Sequence, residues 1–158
     1  MNSVWVTTFA IAMAAGTTLV FAAVGEVIAE RAGVLNLGLE GMMLVGAVTG
    51  FMALDRTGSL ELGVLAALAA GATLGLLHAF LTVTLHADQI VAGLALTIFG
   101  TGLSAYLGRD VVGKPAQDSF DPLAIPLLHE IPWVGPVLFD QNVLVYASYV
   151  LVAVTWVV

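Results

Sequence analysis

The sequence contains no cysteine among its 158 residues. This absence excludes a disulfide framework, a zinc site built from thiolates and a cysteine nucleophile. Charged residues are also scarce, because they make up 9% of the chain against about 25% in a typical soluble domain. Too few polar side chains remain to cover a surface that faces water, and the mean hydropathy is +1.05. The composition therefore indicates an integral membrane protein.

Basic residues are especially few: four Lys and Arg stand against eleven Asp and Glu, which gives a formal net charge of −7. We therefore expect neither a nucleic-acid partner nor a polybasic lipid-binding patch. The sequence patterns of zinc peptidases, serine hydrolases and phosphate-binding loops are also missing. We predict no catalytic residue, no metal site and no cofactor, and we expect any ATP hydrolysis to belong to another chain.

Long apolar runs dominate what is present. The first four are each close to the roughly 20 residues that a helix needs to cross the hydrocarbon of a bilayer. Continuous apolar runs favour helices over a β-barrel, whose strands would alternate. The predicted fold is all-α: a polytopic transmembrane helical bundle with about five spans, forming a single domain over residues 1–158. The predicted spans are residues 4–25, 32–54, 62–85, 90–108 and 143–158.

The fifth run, residues 143–158, differs from the others in length. At about 1.5 Å per residue it extends for about 24 Å, which is less than the thickness of the hydrocarbon. We therefore expect the sequence to be the N-terminal part of a longer protein, truncated within this span. A short helix that tilts into an oligomer is the alternative.

Residues 109–142 connect the fourth and fifth runs and hold all five prolines of the chain. Proline lacks the backbone N–H that a helix needs, so no regular helix is expected across this connection. The connection is also rich in apolar residues such as Trp133, unlike a flexible linker. We expect it to lie on the membrane surface or to cap the helix bundle. The few basic residues weakly favour a cytoplasmic location for it.

Small residues interrupt the apolar runs at helical spacing, including two GxxxG patterns. Glycine lets the backbones of membrane helices approach closely, and this close contact drives helix association in lipid. The sequence therefore predicts tight packing of several helices rather than a single homodimer contact. The predicted packing positions are Gly38, Gly41, Gly46, Gly50, Gly71, Gly75 and Gly93.

The stretch GVLNLGLEG, residues 33–41, places Asn36 and Glu40 on one face if the stretch is helical. An ionised carboxylate within the hydrocarbon is costly unless it is paired or hydrated. In one arrangement, residues 32–40 form an interrupted start and the helix begins near Leu39, so the helix dipole favours Glu40. In the other, Glu40 faces a polar seam inside the bundle.

Further along the chain, polar residues stand at the ends of apolar runs. Asp88 is expected to cap the fourth helix, with Gln89 in its first turn. His78 is expected to form a hydrogen bond within the bundle.

Three stretches carry a family resemblance: GEVIAERAGVLNLGLEGMMLVGA, ADQIVAGLALTIFGTGLSAYLGR and IPWVGPVLFDQNVLVY. The chain resembles the permease subunits of ABC importers of the simple-sugar and nucleoside type, which are grouped with branched-chain amino-acid and ribose permeases. The similarity covers nearly the whole chain. One departure is visible, because the family usually shows Asn where this chain has Asp88.

The resemblance implies a multi-pass protein of the cell inner (plasma) membrane that works with other chains. The implied partners are a second permease subunit, a cytoplasmic ATP-binding subunit, an extracytoplasmic solute-binding lipoprotein and the lipid bilayer. The resemblance also places residues 109–142 outside the cell, and we follow it over the charge count. Asn36, Glu40 and Gln89 become candidates for polar contacts in or near a solute pathway, or for structural contacts within the bundle.

Two other functions are compatible with the sequence. The chain could be half of a secondary transporter, in which an inverted repeat supplies the other half. It could also be a small membrane scaffold without a transport role. No internal repeat is visible, and Glu40 is the only carboxylate inside a predicted span. We therefore favour the importer permease.

Overall fold

A computed structural model describes residues 4–157 of the chain. Residues 1–3 and Val158, the last residue of the predicted fifth span, lie outside the described residues. In chain order, the elements are α1 (Val4–Arg31), α2 (Leu39–Thr57), α3 (Leu60–Ala79), a π-helical turn (Phe80–Thr84), α4 (Gln89–Leu107), a 3-10 turn (Gly108–Asp110), β1 (Leu123–Ala124), α5 (Gly135–Leu138), β2 (Asp140–Gln141) and α6 (Val143–Val157).

The prediction of an all-α membrane bundle is confirmed. Within residues 4–157, three helical stretches are long and apolar enough to cross a membrane: Val4–Arg31, Leu60–Thr84 and Gln89–Asp110. The last helix, Val143–Trp156 in its apolar part, is shorter. Within the predicted second span, residues 32–54, helix α2 begins at Leu39, and residues 32–38 are not helical.

The described residues form two compact units. One unit contains the residues up to Gly25 and those from Phe120 onwards. The other unit is Glu26–Ser119, and it contains α2, α3 and α4.

The Glu26–Ser119 unit is built around α2, which packs against both α3 and α4. Helices α2 and α3 form an antiparallel hairpin, in which a Cβ added to Gly50 would stand 3.0 Å from the carbonyl oxygen of Gly63. Ser59 in the short link caps α3, because its hydroxyl oxygen accepts a hydrogen bond from the Leu62 N–H over 3.3 Å. The hairpin therefore follows from a local cap and from small residues on the facing sides.

The backbones of α4 and α2 lie in direct contact. A Cβ added to Gly41 would stand 2.5 Å from the carbonyl oxygen of Leu96 and 2.8 Å from the Cα of Thr97. A Cβ added to Gly100 would stand 2.5 Å from the carbonyl oxygen of Gly41. Only residues without a Cβ permit this approach. The buried core beside this contact consists of Met42, Val45, Leu74 and Leu96.

The other unit joins α1, up to Gly25, to α6 through the end of the proline-rich connection. Strands β1 and β2 pair antiparallel, with Leu123 opposite Gln141. The Tyr146 hydroxyl in α6 donates to the Leu123 carbonyl oxygen over 2.7 Å and accepts from the Gln141 N–H over 3.1 Å. The Gln141 side-chain amide donates to the Ala10 carbonyl oxygen in α1 over 3.3 Å. The connection is thus fixed to both helices.

Candidate functional site

Residues 32–38, which we term the junction segment, separate α1 from α2 and are not helical. Helix α1 stops because Gly33 adopts a left-handed conformation with φ of 81°. The Gly33 N–H donates to the Glu30 carbonyl oxygen, and the Val34 N–H donates to the Ala29 carbonyl oxygen, each over 2.9 Å. These bonds form a Schellman motif, which ends a helix where glycine supplies the positive φ. The interruption is therefore encoded locally.

Helix α2 begins directly after the junction segment. The Asn36 side-chain oxygen accepts a hydrogen bond from the Gly38 N–H over 3.0 Å, which forms an Asx turn. Glu40 follows in the first turn of α2, where the helix dipole favours a negative charge. The observed arrangement is the interrupted start, with the helix beginning at Leu39. Asn36 precedes the helix, so Asn36 and Glu40 do not share a helical face.

The junction segment contacts α4 beyond the first turn of that helix. A Cβ added to Gly93 would stand 2.9 Å from the Leu37 backbone nitrogen, and one added to Gly38 would stand 3.0 Å from the Leu96 Cβ. Gly93 and Leu96 lie about 6 and 11 Å along the helix axis from Gln89, where α4 begins. Within a membrane, non-helical backbone is tolerated only where protein or a water-filled cavity satisfies its polar groups.

Helix α4 supplies two side chains that bond the junction backbone. The Gln89 side-chain oxygen accepts from the Leu35 N–H over 2.7 Å, and its nitrogen donates to the Gly33 carbonyl oxygen over 3.2 Å. The Thr97 hydroxyl donates to the Leu37 carbonyl oxygen over 2.7 Å. Gln89 thus gives the junction both an acceptor and a donor that a continuous helix would have supplied.

Glu26 of α1 and His78 of α3 both contact the peptide group that joins Leu35 to Asn36 in the junction segment. Glu26 Oε1 accepts from the Asn36 N–H over 3.0 Å, and His78 Nε2 lies 3.3 Å from the Leu35 carbonyl oxygen. Because a carbonyl oxygen only accepts, His78 Nε2 must carry the proton in this contact. His78 is 2% exposed, and its Nδ1 has no hydrogen-bond partner within residues 4–157. The prediction of a hydrogen-bonded His78 in the bundle is confirmed.

The contact of His78 with Leu35 can be tested with two amide substitutions. We expect His78→Gln to keep this contact, because the Gln nitrogen reaches the position of Nε2. His78→Asn should lose it, because the shorter side chain reaches only the position of Nδ1. Leaving a carbonyl unpaired inside the bundle costs about 1–3 kcal/mol. Thermal unfolding of the intact protein in detergent should therefore show a lower midpoint for the Asn variant. Equal midpoints for the two variants would contradict the role of this contact.

Glu40 is exposed and has no side-chain hydrogen bond within residues 4–157. It shares an open face of α2 with Leu44, and Leu37 just before the helix is exposed as well. The alternative in which Glu40 pairs with a neighbouring helix is therefore not observed in this part of the chain. A carboxylate on an exposed face of a membrane helix needs water or a polar partner from outside these residues.

The predicted packing glycines fall into two groups. Five lie at close helix contacts, and two have open space where a Cβ would stand. The contact between the junction segment and α4 involves Gly38 and Gly93, the contact between α2 and α4 involves Gly41, the contact between α2 and α3 involves Gly46 and Gly50, and the open positions are Gly71 and Gly75.

Sequence reasoning missed Glu26 and Thr97, which are both bonded to the junction backbone. Glu26 was not distinguished from the other charged residues that end the first run. Thr97 was hidden in a run without charge, where threonine is an ordinary residue. No local pattern marks either residue, because Thr97 lies 60 positions from Leu37 and Glu26 lies ten from Asn36.

A bundle of apolar helices in which a non-helical segment joins two helices, with its backbone bonded by polar side chains, resembles the broken helices of membrane transport proteins. The chain belongs to the family described as branched-chain amino acid transport system / permease component, which matches residues 8–158. This confirms the resemblance to ABC importer permeases. The chain is accordingly a multi-pass membrane protein of the permease type and not an ATP-hydrolysing subunit.

Three curated relatives are similar over most of this chain. A protein of Haloferax volcanii, provisionally named as the glucose ABC transporter permease TsgC13, is 42% identical over 90% of this chain and 44% of its own length. The guanosine ABC transporter permease NupQ of Bacillus subtilis is 35% identical over 88% of this chain and 46% of its own. The nucleoside ABC transporter permease NupC of Lactococcus lactis is 33% identical over 90% of this chain and 48% of its own.

The chain thus spans about half the length of the curated relatives that it matches. No solved structure matches the chain. The family assignment therefore comes from sequence similarity, and the geometry of the junction segment comes from the fold described above.

Proposed function

We propose that this chain forms part of the permease subunit of an ATP-driven ABC importer for a small polar solute, a nucleoside or a simple sugar. The observation that carries the proposal is the match of residues 8–158 to transport permeases. The relatives named for glucose, guanosine and nucleoside transport support the solute class. All of these solutes are rich in hydroxyl groups and poor in net charge.

In this proposal the open face of α2 borders the solute pathway or the second permease subunit. Glu40 is exposed on this face, and a polar environment there would lower the cost of its charge. Asn36 and Gln89 do not lie on that face in this proposal. Both of them bond the backbone of the junction segment, from which α2 begins. Their role is to position the start of α2, and Glu40 is the candidate for direct contact with solute.

The proposed chemistry is binding and gating, because no bond is made or broken by this chain. A separate ATP-binding subunit hydrolyses ATP, a solute-binding lipoprotein outside the cell delivers the solute, and a second permease subunit completes the pathway. In this arrangement residues 109–142 lie outside the cell.

Uptake by intact cells tests the proposal. Deleting the gene that encodes this chain should abolish uptake of labelled guanosine or of labelled glucose, and the intact gene should restore it. Removing the phosphate-binding lysine of the ATP-binding subunit should have the same effect, because ATP hydrolysis drives the transport.

Each alternative predicts a different result in these cells. Uptake that persists without the ATP-binding subunit and collapses with the ion gradient would favour a secondary transporter. Normal uptake of nucleosides and sugars in the deletion strain would favour a scaffold. Either result would overturn the proposed function.

A further inference from the structure

The proline-rich connection exposes a group of apolar side chains within residues 127–134, which we term the loop patch. Leu127 is 82% exposed and Trp133 is 67% exposed, so neither side chain is covered by the described residues. A patch of this kind marks a surface that contacts a membrane or another protein. The exposed apolar members of the loop patch are Leu127, Leu128, Ile131, Trp133 and Val134.

The end of the connection is bonded to α1 well inside the apolar part of that helix. Gln141 is 5% exposed, and its side-chain amide donates to the Ala10 carbonyl oxygen. Ala10 lies about 9 Å along the helix axis from Val4, within the uncharged stretch that begins this membrane helix. Strand pairing sets Leu123 opposite Gln141, four residues before the loop patch begins.

The backbone of the loop patch is held in an unusual conformation. Leu127 and Trp133 have φ of 68° and 72°, in the left-handed region that bulky side chains rarely adopt. Such strain persists only where other interactions compensate for it, and it is concentrated at functional sites. Trp is enriched at the membrane interface, where its ring contacts both lipid and headgroups.

The charges around the loop patch tell against electrostatic attraction to an anionic surface. The chain has no Lys or Arg after Lys114, whereas Asp121, Glu130 and Asp140 all lie in this part of the connection. Any membrane contact must therefore come from apolar partition and not from attraction to acidic lipids.

We infer that the loop patch inserts into the interface of the bilayer that α1 crosses, so its partner is a lipid surface of zwitterionic headgroups. Lipid is favoured over a soluble protein partner because Gln141, at the end of the connection, bonds Ala10 within the apolar stretch of α1. The inference does not depend on the transported solute or on the energy source.

These 158 residues contain no cysteine, so an introduced cysteine is the single labelling site among them. We would attach a nitroxide at Leu127→Cys or at Trp133→Cys in the intact protein, reconstituted into phosphatidylcholine nanodiscs. Asp121→Cys, an exposed polar position of the same connection, is the matched control. The relative accessibility of each label to oxygen and to a water-soluble nickel chelate gives its depth. The labels at 127 and 133 should lie about 5–10 Å below the headgroups, and the control should remain in water.

Three outcomes would overturn the inference. Labels at 127 and 133 that are as accessible to the nickel chelate as the control would show that the loop patch faces water. Labels shielded from both reagents would show that it caps other protein instead. Replacing a third of the lipid by phosphatidylglycerol should not deepen either label, and deeper insertion would contradict the apolar origin of the contact.

Discussion

Replacing Gly41 with alanine should lower the free energy of unfolding by about 2–3 kcal/mol, because it forces apart α2 and α4. The added Cβ would stand 2.5 Å from the carbonyl oxygen of Leu96 and 2.8 Å from the Cα of Thr97. Both are backbone atoms, so no side-chain rotation relieves the overlap. The helix must shift, and the contact with Gly100 must open with it.

A matched substitution in the same unit isolates this effect. Gly71 lies in α3 with no atom within 4 Å of an added Cβ, so Gly71→Ala adds a methyl group without overlap. In a helix interior this change favours the folded state by about 1 kcal/mol. Unfolding of both variants, followed by circular dichroism in the same detergent, should move the two midpoints in opposite directions. A similar loss in both variants would contradict the close contact at Gly41.

Gln89→Met should reduce the maximal rate of solute uptake by at least about tenfold, on the proposed function. Methionine has nearly the same volume but neither accepts from the Leu35 N–H nor donates to the Gly33 carbonyl oxygen. Each unpaired backbone group costs about 1–3 kcal/mol, and about 1.4 kcal/mol corresponds to a factor of ten in a population. The junction segment should therefore leave its observed position in most molecules.

The control for this substitution lies on the same helix. Val91 is 66% exposed, and Val91→Ala should leave uptake unchanged. Immunoblots of the membrane fraction should show equal amounts of both variants, so that a loss of rate reports geometry and not expression. Unchanged uptake by the Gln89→Met variant would show that the two hydrogen bonds to the junction do not position the pathway. Loss of the fully assembled protein in that variant would point to folding instead.

Much of the fold is visible in the sequence because it depends on composition and on neighbouring residues. Scarce charge and long apolar runs indicated the membrane bundle. The Asp88 cap was predicted and is confirmed, since Asp88 Oδ1 accepts from the Val91 N–H over 2.9 Å. The start of α2 at Leu39 was one of two predicted arrangements, and it follows from Gly33 and Asn36 acting on their own neighbours.

The sequence by itself determined that this protein is an integral membrane protein, that its fold is all-α and that it belongs to a family of transport permeases. Only the tertiary structure decided which polar groups meet. Glu26, His78 and Thr97 bond a short backbone segment from three different helices, across 10, 43 and 60 positions of sequence. It also separated Gly46 and Gly50, which pack, from Gly71 and Gly75, which do not, although both pairs have the same spacing. The physical reason is that the spacing of two glycines along the sequence decides only that they share one face of a helix. Which element packs against that face is decided by the packing of the whole bundle.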